Sequence, residues 1–249
     1  MINEVRNAVL SVLNKNNYGY LSPSDFNLYA KNAQIEIYEE YFSTYNKIIN
    51  LENARVAGTD YADIEQNVAE TIESFLRTDN LVQVTADTNE YYYPSVLTTG
   101  YEAFMVSNTI AYDEEGNEYG EVEKVSNGKI NLLLRSNLTA PNTIYPAYVL
   151  EGEIVKIYPD TINTPDALKM TYFRYPKVPK WTYRNLANGE PVFDQSQSDY
   201  QDFELPLTEE YKLVLKILQY AGMSIREIEV AQFGIAEEQR EQPTFSQKQ

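Results

Sequence analysis

The hydrophobic period changes once along this chain, near Arg77-Thr78-Asp79-Asn80, and that change restricts the fold more than any single residue does. Before it, apolar residues recur at steps of three and four. After it, β-branched and aromatic residues alternate with polar ones. A chain that obeys one period and then the other builds its helices and strands from separate stretches, which predicts an α+β fold.

Three helices are expected in the first part. Ile2, Val5, Val9, Val12 and Leu13 keep helical spacing over residues 2–14, and the pattern stops in Asn14-Lys15-Asn16-Asn17-Tyr18-Gly19. Ser22-Pro23-Ser24-Asp25 is a start signal, with Ser22 as cap, Pro23 in the first turn and an acid near the positive helix end. Over residues 23–50 one stripe runs through Phe26, Ala30, Ala33, Ile37, Tyr41, Thr44 and Ile48, and Tyr38, Phe42, Tyr45 and Ile49 widen it. An apolar arc that wide packs on more than one side, either in its own core or against its core and a neighbouring subunit. Tyr61, Ile64, Val68, Ile72 and Phe75 predict a third helix over 60–77. Together these give a small N-terminal bundle.

A mainly antiparallel β-region follows. Strands are expected at 90–94, 104–106 with 110–112, 147–150, 154–158 and 168–173. Glu151-Gly152-Glu153 marks a tight hairpin and the run from Asp113 to Glu118 a turn tip. Residues 128–137, with Ile130, Leu133 and Leu134, read as a short helix or a strand. Tyr175-Pro176-Lys177-Val178-Pro179-Lys180-Trp181 is an extended connector, because proline disfavours helix in itself and in the residue before it. A last helix opens near Thr208, taken as its cap, and its face of Leu213, Ile217 and Leu218 is expected to pack back on the N-terminal helices. The expected divisions are a helical region at 1–80, a β-rich region with the connector at 81–200, and a C-terminal helix with a docking tail at 201–249.

The residue inventory argues against catalysis. Histidine and cysteine are absent, which removes the usual neutral-pH base, thiol nucleophiles, disulfides and most zinc sites. No phosphate loop or dinucleotide glycine fingerprint occurs, and no cofactor is expected. The run Asp113, Glu114, Glu115, Glu118, Glu121 and Glu123 departs from EF-hand spacing, and a solvated hairpin tip is expected there. With 37 acids against 20 cations the formal charge is −17, which repels phosphate; the acids either keep the protein soluble or line a passage where passing DNA makes only non-specific contact. Twenty-two tyrosines suit half-buried sheet faces and wet protein contacts. No apolar run of membrane-spanning length and no signal segment at the start of the chain is found, so neither a membrane nor secretion is expected.

Several segments resemble a known family. Lys156-Ile157-Tyr158-Pro159, then Met170-Thr171-Tyr172-Phe173-Arg174-Tyr175-Pro176-Lys177-Val178-Pro179, then Phe203-Glu204-Leu205-Pro206 leading into Tyr211, are similar to head–tail adaptor or connector proteins of tailed phages, including the tail tubular A type. Residues Leu10 to Asn46, with Asn14 to Pro23 and Phe26-Asn27, are closer to ring proteins of crAss-like phages. The early helical region is longer than in the simplest adaptors.

The resemblance implies a structural, non-enzymatic subunit of a homo-oligomeric ring, commonly a dodecamer, in the virion neck, with a helical part, a small β-part and a C-terminal segment that docks on the portal. Its partners would be the portal protein and adjacent tail or ring proteins, and it would assemble in the host cytoplasm. Candidate partner-interface residues are Tyr38, Phe42 and Tyr45 on the wide helix, Trp181 in the connector, and Phe233 and Phe245 towards the tail. Trp181 has an alternative role as an anchor within the chain. Residues 234–249 hold few apolar groups and are expected to order only on docking. Two other readings stay open: a different virion structural or cargo protein, and a carbohydrate-active enzyme using acids alone, which needs two inward carboxylates in a pocket.

Overall fold

The computed structural model describes residues 1–14, 21–53, 62–113, 115–187 and 189–225. The chain divides into two compact units, one from Met1–Thr71 with Pro176–Gln249 and one from Ile72–Tyr175. The connector thus packs with the helices, whereas the sequence reading placed it with the β-region.

In the first unit, α1 (Ile2–Asn14), α2 (Pro23–Asn53) and α5 (Glu210–Ile225) come together, with α5 against both α1 and α2 as expected. Their helical spacing is the reason. Ile2, Val5, Val9 and Leu13, then Phe26, Ala30, Ala33 and Ile37, then Leu213, Ile217, Leu218 and Ala221 are all buried. The Ser22 hydroxyl accepts from the Asp25 amide at 3.1 Å, and the Asp25 carboxylate accepts from that hydroxyl at 2.6 Å, so the expected cap of α2 forms. The start of α1 takes its anion from a distance: Asp202 accepts from the Ile2 amide at 2.8 Å and pairs with the Met1 ammonium at 3.3 Å. Thr208 does not cap α5. It lies inside a 3₁₀ turn, Leu207–Glu209, which leads directly into Glu210. α3 runs over Ala62–Glu73 and is shorter than expected.

The second unit begins with the residues that shortening releases. Strand β1 (Leu76–Asn80) pairs antiparallel with β8 (Leu168–Arg174). One sheet runs in the order β1, β8, β3 (Ala103–Tyr112), β4 (Glu118–Glu121). The other runs β2 (Glu90–Tyr92), β7 (Ile154–Tyr158), β6 (Ala147–Glu151), β5 (Glu123–Lys124). The two segments expected at 104–106 and 110–112 are one strand, β3, bent where its register with β8 shifts between Val106 and Asn108. Residues 127–133 form α4 (Asn127–Leu133), with the Ser126 side chain as its cap.

Both edges of the two sheets are joined by continuous chain. Beyond β1, Val82 accepts from the Tyr92 amide at 2.8 Å and Val84 donates to Glu90 at 2.9 Å, carrying the chain on to β2. At the other edge, Val122 donates to Thr109 at 2.8 Å and Glu123 to Pro146 at 3.0 Å, so β4 leaves one sheet and enters the other as β5. The hydrogen-bonded circuit closes into a small barrel of seven staves, counting β1 with its continuation and β4 with β5 as one each. An odd ring cannot alternate direction all the way round. One parallel pair is therefore required, and β5 with β6 supplies it (Glu123 opposite Ala147). The inward residues Tyr91, Tyr148, Val155, Ile157, Leu168, Met170 and Tyr172 fill the interior. The β6–β7 hairpin turns on Gly152 at φ 65°, a left-handed conformation that suits glycine.

Candidate interaction surfaces

Two amides on α2, seven residues apart and so about two helical turns apart, hold the connector. Asn27 accepts from the Trp181 amide at 2.8 Å and donates to the Trp181 carbonyl at 3.2 Å. Buried Gln34 donates to the Lys177 carbonyl at 2.7 Å and accepts from the Glu204 amide at 3.0 Å. The connector's backbone is thus satisfied partly by these side chains and partly by a single β-bridge between Lys180 and Gln201, with hydrogen bonds of 2.8 and 3.3 Å. Between these two points the Trp181 ring is driven inward. It is 1% exposed, its indole N–H donates to Asn3 Oδ1 at 3.1 Å, and the Arg6 guanidinium lies 3.8 Å over its face. Tyr183 stacks on it at 5.5 Å and Phe193 at 6.0 Å, both from the hairpin of β9 (Tyr183–Asn185) and β10 (Pro191–Phe193).

Trp181 therefore fills the anchoring role and presents no ring surface to a partner. Tyr38 is wholly buried, and Phe42, packed edge-on against it at 5.1 Å, is 9% exposed. The wide apolar arc of α2 is closed over by the chain itself at these two rings. Tyr45 is half-buried and retains some surface. Phe233, Phe245 and the tail lie outside the described residues.

The α2–α5 contact carries a polar ladder. Glu36 and Glu40 stand one turn apart on α2, and Lys212, Lys216 and Tyr220 stand one turn apart on α5. Lys216 is fully buried, with its ammonium 3.0 Å from Glu36 and 2.7 Å from Glu40. Lys212 meets Glu40 at 2.6 Å, and the Tyr220 hydroxyl donates to Glu36 at 2.8 Å. Beside it, burial, reinforced by Glu209 and Glu40, pushes the Tyr41 hydroxyl well above the ordinary phenol range. These groups are consumed in fixing one helix register on another.

In the barrel unit the acidic hairpin is built around Asp113. Its carboxylate accepts from the amides of Glu115 at 2.9 Å and Asn117 at 2.7 Å, and from the Asn117 side chain at 2.9 Å. Those donors, the Asn117 side chain first, hold its pKa below the usual carboxylate range. Asp113 is thus a turn builder. Among the described residues no group of three or more acids is placed to hold a metal ion.

A cleft of about 380 Å³ opens where β5 diverges from β3, bordered by Tyr93, Met105, Asn108, Thr109, Glu121, Glu123 and Tyr148. Its two carboxylates are exposed on the rim, and Glu123 is paired with Lys129 at 3.2 Å.

Sequence reasoning missed the ladder and the amide clamp. Both had a signal: Lys216 interrupts the apolar run from Leu213 to Leu218, and Asn27 and Gln34 lie beside the apolar stripe of α2. None of the described helices is long and apolar enough to cross a membrane. Compared with known proteins, the chain matches no family profile and no curated protein.

Proposed function

We propose that this chain is a structural subunit of an oligomeric ring in the neck of a tailed-phage virion, joining portal to tail and contributing to the channel through which DNA passes. The observation that carries the reading is the two-part architecture. A helical unit made from both ends of the chain and closed by α5 accompanies a separate small β-unit, which is the division the resemblance implies. The buried ladder and the Trp181 clamp serve stiffness rather than chemistry, as a ring subunit requires. A formal charge of −17 supports a role in which DNA slides past without being held.

The test is electron microscopy of the purified protein mixed with portal. Class averages should show closed rings stacked coaxially on the portal, with a mass that is an integer multiple of the subunit. Particles that remain single subunits beside intact portals would sink the proposal. So would tight, steeply salt-dependent binding to duplex DNA.

A further inference from the structure

Acidic residues are missing from one stretch of this acidic chain. Residues 124–150 contain no Asp or Glu, although 37 of the 249 residues are acidic, and they carry Lys124, Lys129 and Arg135. It is the longest acid-free run in the sequence. Lys129 is paired with Glu123, but Lys124 and Arg135 have no acidic partner among the described residues. An unpaired cation is unexpected where acids outnumber cations so heavily.

The same stretch exposes large apolar side chains. Leu138 is 93% exposed, Tyr145 75%, Ile144 69% and Leu132 67%. Scattered exposed leucines need no explanation, but four large apolar side chains left this exposed within fourteen positions are a concentration that asks for one. Leu132 stands on α4, and the loop that bears the other three is internally bonded. After α4, Thr139 and Ala140 donate to the Ser136 carbonyl at 3.1 and 2.9 Å, and the Thr139 hydroxyl donates to Leu133 at 3.2 Å. Asn142 Oδ1 accepts from the amides of Ile144 and Tyr145, both at 2.9 Å. The backbone is satisfied internally, and the apolar groups are held outward.

We infer that residues 124–145 form a docking surface for an acidic face of a second copy of this chain. Charge complementarity selects the occupant. All 37 acids and 17 of the 20 cations lie outside the run, so other faces of a second copy offer the opposite charge, whereas two copies of the run would set cation against cation. The run therefore meets a different patch of the second copy rather than its own counterpart, whether in a closed pair or a ring. The inference is compatible with the ring proposed above and does not depend on it.

Sedimentation velocity over a range of protein and salt concentrations tests the surface. The native protein should self-associate, more weakly as salt rises. The double variant Leu138→Glu, Ile144→Glu should weaken association at least tenfold with an unchanged thermal melt, since both side chains are solvent-exposed. Arg135→Glu, which alters no packed group, should weaken it in the same direction and covers the case in which the double variant misfolds. A native protein that stays monomeric throughout overturns the inference, as do variants that associate like the native protein. A monomer that binds duplex DNA through Lys124 and Arg135 would give the face to nucleic acid and also overturn it. A native dimer dissociated by the double variant keeps this surface and rejects the ring. A ring that persists in both variants keeps the ring and rejects this surface.

Discussion

The ammonium of Lys216, buried between α2 and α5, lies 2.7 Å from the Glu40 carboxylate. Its second carboxylate, Glu36, is at 3.0 Å, and the two acids keep 33% and 42% of their side chains in solvent for Glu40 and Glu36 respectively. The burial is thus unequal, and the two ways of breaking the pair are unequal too.

Removing the acids leaves a buried cation without these counter-charges, and removing the cation leaves two acids that water can still reach. Glu36→Gln with Glu40→Gln should therefore destabilise the helical unit by about 3–5 kcal/mol, the range for an uncompensated buried charge. Lys216→Met should cost clearly less, because its apolar chain keeps the packing. Urea unfolding followed by far-UV circular dichroism measures both. Equal losses would show that the ladder is not controlled by desolvation of Lys216.

Trp181 gives a second expectation. Its ring is enclosed by Arg6, Tyr183 and Phe193, and its indole N–H is bonded to Asn3. Trp181→Ala should cost about 3–5 kcal/mol, the usual loss for a large buried aromatic, and Trp181→Phe should recover more than half of it. Because the chain has a single tryptophan, intrinsic fluorescence reports the site directly. A blue emission maximum that shifts red only on global unfolding is expected. An alanine variant as stable as the native protein would remove the anchoring role.

Much of this fold is legible in the sequence, and the exceptions have physical causes. α1, α2 and α5 follow from apolar spacing, and the start of α2 follows from Ser22 and Asp25. β1 does not, because Leu76 is its one large apolar residue and its strand state comes from pairing with β8. The home of the connector was equally hidden. Proline spacing shows that residues 176–181 are extended, but the amides that receive them, Asn27 and Gln34, lie 154 and 143 positions away in sequence from their partners Trp181 and Lys177. The rings named as partner contacts show the same limit. Tyr38, Phe42 and Trp181 have the composition of an interface, and composition alone does not distinguish a surface from a core.

The tail yields a prediction that rests on sequence. Residues 234–249 contain Phe245 after Pro243 and few other apolar groups. Deleting them should leave the thermal melt of the protein unchanged while lowering its attachment to portal-containing heads, measured by co-sedimentation. A truncated chain that attaches as well as the full-length one would show that the tail has no docking role.

The barrel's tyrosines predict an alkaline limit to stability. Tyr91 and Tyr172 are wholly buried, and burial is the main cause that pushes each hydroxyl from an ordinary value near 10 up to about 12. Tyr91 donates to the Thr164 carbonyl at 2.8 Å, and Tyr172 donates to Asp79 at 2.8 Å, where the carboxylate further disfavours a phenolate. The folded state therefore holds these protons where the unfolded state has released them. Their contribution is complete below pH 10 and falls away as pH rises from about 10 to about 12. Near neutral pH, Tyr91→Phe should cost about 1 kcal/mol for the lost hydrogen bond. Between pH 10 and 12 that deficit should shrink, because phenylalanine has no proton to lose. Urea midpoints measured at neutral pH and at stepped alkaline pH, with tyrosinate absorbance followed in parallel, decide the matter. If the native protein and the variant lose stability in parallel across that window, the buried hydroxyl of Tyr91 does not set the alkaline limit.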